Sequence, residues 1–302
     1  MLIAVTGATG YVGSHVAPRL QAAGYALRLL MRHPEPAPMP GAETALLDLS
    51  NDITQGCLEG CDVLLHLAAY IPANLRDPAS AEQCWRINAR GTLKIAEAAA
   101  RAGMRHMVHA TSGNAYRFGD GSPRREDDAM MPTSRGFYLG SKLLQEIYAN
   151  DMCERAGIGC ATLRLGSVYG GPGATGLVPG FLNQLKAGKP VRLHGGGSFG
   201  ADFVHVEDVA KAALLAIKDR TEGPLNVGSG ERTTVRDLAR TIADLCQAPD
   251  HLIEEGPSSA SPDLGFAALD CSRLHALGYR PRALREGLME ALSPCEPTQT
   301  AR

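Results

Sequence analysis

Tyr138 and Lys142 stand four residues apart in the segment YLGSK (138–142). On a helix that spacing puts a phenol and an ammonium on one face. Such a pair can move a proton. A phenol has an ordinary pKa of about 10. An ammonium about 5 Å away, at an effective dielectric near 20, is worth about 3 kcal/mol, or roughly two pK units. The expectation is that Lys142 lowers Tyr138 toward neutrality and lets it act as acid or base. The competing reading is one turn of a surface helix. With eight tyrosines and six lysines in 302 residues, the spacing arises by chance about 0.16 times. A proton mover also needs a group that orients the reacting oxygen. Ser112 closes the strand-like run HMVHATS (106–112), and its hydroxyl can hydrogen-bond an alcohol or a carbonyl. Thr111 is its rival, and a strand-end cap is the alternative role for Ser112.

The elements that must position these residues alternate. LIAVTG (2–7), ALRLLMR (26–32), ETALLDL (43–49), CDVLLHLAA (61–69), HMVHATS (106–112) and CATLRLG (160–166) read as strands. Residues 10–23, 81–102 and 137–156 read as helices, and the Pro-rich stretch 33–41 as a loop. Apolar strands alternating with helices imply an α/β fold with a doubly wound parallel sheet covered on both faces. Ligands then bind at the carboxyl ends of the strands. After residue 166, Gly and Pro crowd 168–176 and 194–200. FVHVEDVAKAALLAI (203–217) reads as a strand running into a helix, so the chain is expected to return to the sheet. Residues 1–168 with about 202–228 form the expected dinucleotide-binding domain. Residues about 169–201 with 229–292 form a smaller C-terminal substrate-binding lobe, and 293–302 a tail.

Gly7, Gly10 and Gly13 give G-x-x-G-x-x-G between the first strand and the first helix. The first glycine permits a tight turn. The second lets a pyrophosphate approach N–H groups at the helix N-terminus, and the third lets helix and strand pack closely. A ligand-free turn is the alternative, and the placement after a strand and before a helix favours a dinucleotide. An NAD site usually carries an acid at the end of the second strand. Here that corner reads Leu30-Met31-Arg32-His33. Arg32 can pair with a 2′-phosphate, so NADP is favoured over NAD. Asp48 can accept from an adenine amino group or cap the next turn.

Composition narrows the classes. A net charge of −2 argues against a nucleic-acid or anionic-membrane surface. The apolar runs are too short to span a bilayer, and MLIAVTGATG lacks a signal-peptide pattern. A cytoplasmic location is the expectation. The eight cysteines show no metal-ligand spacing, so no metal is expected and reduced, mostly buried thiols are. His66 and His109 read as core histidines, His205 as structural and Trp85 as a packing residue.

TGATGYVG (6–13), HLAA (66–69), NARGT (88–92), ATSGNAY (110–116), YLGSK (138–142), LRLGSVYGGPG (163–173), DFVHVEDVA (202–210), LNVGSG (225–230) and LGYRP (277–281) together resemble the extended short-chain dehydrogenase/reductase family. Its members are NAD(P)-dependent sugar epimerases, dehydratases and reductases with a Rossmann sheet. The resemblance implies that Tyr138 is the acid/base and that Lys142 holds the nicotinamide ribose and tunes it. Ser112 orients the reacting oxygen. Gly7, Thr9, Gly10, Tyr11 and Val12 hold the pyrophosphate, and Arg32, Asp48 and Leu49 the adenosine end. Leu67, Ala68, Ala69, Leu165 and Val168 line the cofactor. Asn88 lies beside it, a structural role at the helix being the alternative. Ser112, Asn114, Ser167 and His194 are the candidate substrate contacts. The family commonly forms homodimers through the two long helices.

Departures from the family pattern bear on the substrate. Dehydratases place an acidic pair where this chain has Gly113 and Asn114, so elimination lacks its acid and base. The arginine that clamps a sugar diphosphate is replaced by Ala201, and PDLGFAA (262–268) carries no second clamp. Arg192 or Lys186 are the possible substitutes, and Ser167 stands where an Asn is common. The favoured function is an NAD(P)-dependent oxidoreductase acting on a secondary alcohol or carbonyl of a sugar-like or natural-product substrate. The alternatives are a nucleotide-sugar epimerase with retained cofactor and, third, a non-catalytic dinucleotide-binding protein.

Overall fold

The apolar N-terminal run forms β1 (Leu2–Thr6), whose last four residues are buried. In this computed structural model the described residues are 1–33, 39–75, 77–117, 119, 121–132, 136–257 and 264–292. The expected tail at 293–302 and most of the Pro-rich loop lie outside them.

A loop of glycines carries β1 into α1 (Tyr11–Ala22). There follow β2 (Ala26–Met31), β3 (Glu43–Leu46) and β4 (Val63–His66). The long helical stretch expected at 81–102 is present but not uniform. It starts as α2 (Ala81–Gln83), widens to i→i+5 pairing over Cys84–Arg90, and continues as α3 (Gly91–Arg101). Then come β5 (His106–Ser112), α4 (Gly136–Ala156) and β6 (Gly159–Leu165). β7 (Ser167–Tyr169), α5 (Leu177–Lys186), β8 (Val191–Leu193), β9 (Gly200–His205) and α6 (Val206–Lys218) lead to β10 (Gly223–Val227). The last elements are β11 (Arg232–Thr234), α7 (Val235–Cys246), β12 (Ile253–Glu255), α8 (Ser272–Ala276) and α9 (Leu284–Leu292).

Seven strands form one parallel sheet in the order β10-β6-β5-β4-β1-β2-β3. The order reverses between β1 and β4, which opens a crevice at their carboxyl ends. One apolar cluster under α1 and α6 and another under α3 and α4 cover the two faces. The expected return of 203–217 to this sheet is corrected. β9 instead joins β7 and β11 in a separate three-stranded sheet, and β10 makes the return by pairing with β6. α6 does contribute to the main layer, packing on α1. A third core, built from α5, α7, α9 and β9, belongs to the C-terminal lobe. Asp202 ties β9 to that lobe: its buried carboxylate accepts from Ser229 N, Ser229 Oγ, Gly230 N and Leu269 N.

Candidate active site

The glycine loop lies in the crevice. Gly7 has φ +73, and a Cβ there would sit 2.6 Å from Ala68 N, so the loop presses on the end of β4. A Cβ on Gly13 would meet Gly7 O at 2.0 Å, which is why helix and loop pack only with glycine here. Gly10 N donates to Gly7 O at 3.0 Å. The N-terminus of α1 has no capping side chain and no acid in its first turn. Thr9 and Gly10 are exposed, and Tyr11 and Val12 begin the helix. That donor set fits a pyrophosphate.

At the adenosine end, Arg32, Asp48 and Asn51 line a cavity of about 570 Å³. Asp48 Oδ1 accepts from Ser50 N at 2.9 Å and Ser50 Oγ at 2.7 Å, and Oδ2 from Asn51 Nδ2. These bonds hold the Asp48 carboxyl below its ordinary range, so in this structure Asp48 caps the turn. Leu49 is buried against Gly91 rather than in the cavity wall. Leu67, Ala68 and Ala69 continue from β4 as a partly exposed wall.

Asn88 sits inside the widened turn and is fully buried. Its Oδ1 accepts from Tyr70 N at 2.7 Å, and its Nδ2 donates to Tyr70 O and to Ser141 Oγ, both at 2.9 Å. Ser141 Oγ donates to Tyr138 O at 2.7 Å. Asn88 therefore joins the segment after β4 to the helix carrying Tyr138. Such i→i+5 turns recur at functional sites.

Tyr138 and Lys142 share the first turns of α4 as expected. Their electrostatics do not follow the expectation. Lys142 Nζ donates to Ala110 O at 2.8 Å and to Gln145 Oε1, pointing at the strand beneath. Burial lowers its pKa to about 7, opposed by the Glu146 carboxylate. The Tyr138 phenol is pushed up to about 12 by burial and then by the Cys84 thiol. Desolvation outweighs any attraction to Lys142, so the expected lowering of the phenol is corrected. The Tyr138 phenol is therefore protonated at neutral pH.

Ser112 Oγ accepts from Asn114 N at 3.3 Å, which is the strand-end cap the sequence allowed. Asn114 Nδ2 donates to Ser167 Oγ at 3.4 Å, so three of the four substrate candidates form one cluster. Leu165 is the register partner of Ser112, and Val168 follows on β7. α4 packs against the turn that holds Asn114. Thr111 is turned away and donates to Glu146 Oε2 at 3.0 Å. The fourth candidate, His194, is exposed in the turn that follows β8.

Glu146 and Arg164 are the charged residues missed from the sequence. Arg164 Nη2 meets Glu146 Oε1 at 2.5 Å with both side chains buried, and Arg164 Nη1 donates to Tyr116 Oη and Glu126 O. Glu146 lies four residues beyond Lys142 on the same helical face, the spacing that exposed Lys142 itself.

The C-terminal lobe brings no cation to the Ser167 cluster through the proposed substitutes. Ala201 is buried. Arg232, on the neighbouring strand, donates to the carbonyls of Phe266, Ser198 and Leu264. Arg192 pairs with Glu254. Lys186 lines a cavity of about 740 Å³ with His15, Arg19, Glu207 and Arg282, which contains neither Tyr138 nor Ser112. Its size does not make it the reaction site, since its arginines are already paired with Glu207, Asp208 and Glu290, and Lys186 donates to Leu292 O.

A family model described as the NAD dependent epimerase/dehydratase family matches residues 3–228. The chain belongs to that family. It is 32% identical to a UDP-glucose 4-epimerase of Mycolicibacterium smegmatis over 95% of this chain and 96% of the relative. It is 28% identical to a dTDP-4-dehydro-6-deoxy-D-allose reductase of Streptomyces bikiniensis, covering 95% and 94%. The UDP-glucose 4-epimerase of Thermus thermophilus in complex with NAD superposes with a TM-score of 0.80 at 27% identity, covering 96% and 97%. Epimerase/dehydratase family membership makes the chain an enzyme of the extended short-chain dehydrogenase/reductase type, and the family is NAD-dependent. It gives no support to the expected preference for NADP. Among the described residues no helix is long and apolar enough to cross a membrane, and no cluster of His, Cys, Asp or Glu is arranged to hold a metal.

Proposed function

We propose that this enzyme is a reductase: Tyr138 donates a proton to the oxygen of a substrate carbonyl while hydride arrives at its carbon. The nicotinamide dinucleotide supplies the hydride when bound. The observation supporting this role is the place of Tyr138 at the start of α4, which packs on the turn that follows Ser112, with a phenol that burial keeps protonated. Ser112 hydrogen-bonds the same substrate oxygen and fixes its approach. The charge of Lys142, four residues along α4, lowers the cost of the phenolate left after proton transfer. Gly113 and Asn114 leave elimination without an acidic pair.

The substrate class is a sugar-like or natural-product ketone. Ala201 and the carbonyl-bound Arg232 favour a molecule without a tightly clamped diphosphate. A nucleotide-sugar epimerase that retains its cofactor is the second reading, favoured by the M. smegmatis relative. Arg32 is proposed to admit NADP as well as NAD. Replacing it by Ala should weaken NADP far more than NAD in a binding titration, and equal weakening removes this role. Ser112, Asn114 and Ser167 are proposed substrate contacts, and dimerisation through the α2–α3 and α4 layer is proposed from the family habit. The functional test is consumption of reduced dinucleotide by wild type and by Tyr138→Phe with a panel of keto-sugars. Loss of at least about 10²-fold in the variant is expected, and an unchanged rate contradicts the role of Tyr138.

A further inference from the structure

Four residues from four adjacent strands form a buried polar row beneath α3 and α4. Thr6 of β1 is in register with His66 of β4, His66 with His109 of β5, and His109 with Thr162 of β6. All four are enclosed. A polar row inside an apolar layer is costly unless every member is hydrogen-bonded.

On the cofactor side of the row the bonds form a directed chain. Thr6 Oγ1 lies 2.7 Å from His66 Nδ1 and accepts from Ala68 N at 3.2 Å. His66 Nε2 lies 2.8 Å from Thr92 Oγ1, and Thr92 Oγ1 lies 2.6 Å from Asn88 O. Asn88 O can only accept, so the Thr92 hydroxyl proton points to it. Thr92 then accepts from His66, which puts the imidazole proton on Nε2 and leaves Nδ1 to accept from Thr6. With the proton on Nδ1 instead, two oxygens at 2.6 Å would face each other without one. Burial, and secondarily Lys142 and His109, keep His66 uncharged.

We propose that His66 is a positioning residue: as the neutral Nε2–H tautomer it links the phosphate-loop strand, through Thr92 and Asn88, to the Ser141–Tyr138 turn of α4. The proposal rests on Tyr138 being the proton donor. His66 is fully enclosed and acts through its neighbours. It fixes the widened turn that places the Asn88 amide, and that amide spans the Tyr70 peptide of the cofactor wall and the helix bearing the phenol. Thr92 is the narrowest link, because one hydroxyl both accepts from His66 and donates to Asn88 O.

The test combines nitrogen NMR of the ligand-free protein with kinetics of Thr92→Val and Thr92→Ser. A single neutral Nε2–H imidazole is expected for His66 at pH 7. Thr92→Val, which keeps the volume, should lower kcat about ten-fold or more, with the dinucleotide Kd within about two-fold. Thr92→Ser should restore most of kcat. An Nδ1–H or charged His66 overturns the proposal, as does a folded Thr92→Val enzyme with wild-type kcat. So does equal loss in the Val and Ser variants. Tyr138→Phe is run in parallel: if it stays active, the Tyr138 role fails, whereas a dead Tyr138→Phe with an active Thr92→Val removes only the His66 link.

Discussion

At the scale of single residues, burial decides the electrostatics. Lys142 is enclosed, and its folded-state pKa of about 7 lies below its ordinary value of 10.5. Between those two pH values the unfolded chain holds the proton and the folded chain does not, so this group makes stability rise with pH there. Below pH 7 both states carry the charge and the cost is complete. Lys142→Met should therefore raise Tm at pH 6 by several degrees and lose that advantage by about pH 10, as thermal melts across pH would show. The same titration bears on turnover. In the proposed reaction the Lys142 ammonium that supports a Tyr138 phenolate is present below pH 7, so kcat for reduction should fall as pH rises through about 7. A rate that is flat to pH 10 contradicts this use of Lys142. The type and spacing of Tyr138 and Lys142 are legible in the sequence. The direction of their pKa shifts is not, because it depends on how completely the fold removes water from each group.

At the scale of elements, the phosphate loop is legible because a glycine pattern between a strand and a helix has few other uses. The structure gives each glycine a measurable reason. Gly13→Ala would push a methyl to 2.0 Å from Gly7 O, a backbone atom that cannot swing aside. It should cost about 3 kcal/mol of stability and abolish dinucleotide binding, read by denaturant melts and by titration. The widened turn at Cys84–Arg90 is not legible, since a single i→i+5 turn is too short to set an apolar period of its own. The sheet membership of β9 is also hidden. Its residues are buried throughout, like those of β4 and β5, and only the position of β7 and β11 settles where it pairs. Trp85, expected as a packing residue, is about half exposed on that widened turn.

At the scale of the whole molecule, one polar network joins the sheet to the C-terminal lobe. Arg164 on β6 holds Glu146 of α4, and its other arm reaches Tyr116, whose hydroxyl donates to Asn226 of β10 at 2.8 Å. Asn226 Nδ2 in turn donates to Arg124 O and Asp270 O. Removing one partner of a buried ion pair strands the other, so Arg164→Met should destabilise the protein by about 3–5 kcal/mol in chemical denaturation. This long-range closure is invisible in sequence because its members are spread from residue 116 to residue 270. The family is legible from motif order, while the substrate is not, since loops that carry specificity follow no motif. The proposed reaction is net reduction with Tyr138 as proton donor. The most direct measurement follows reduced dinucleotide and product together when enzyme is mixed with a keto-sugar panel and, separately, with nucleotide sugars. Stoichiometric loss of NADH or NADPH with alcohol formed is the predicted result. Product formed from a nucleotide sugar while the added dinucleotide pool stays constant would contradict it and establish the epimerase instead.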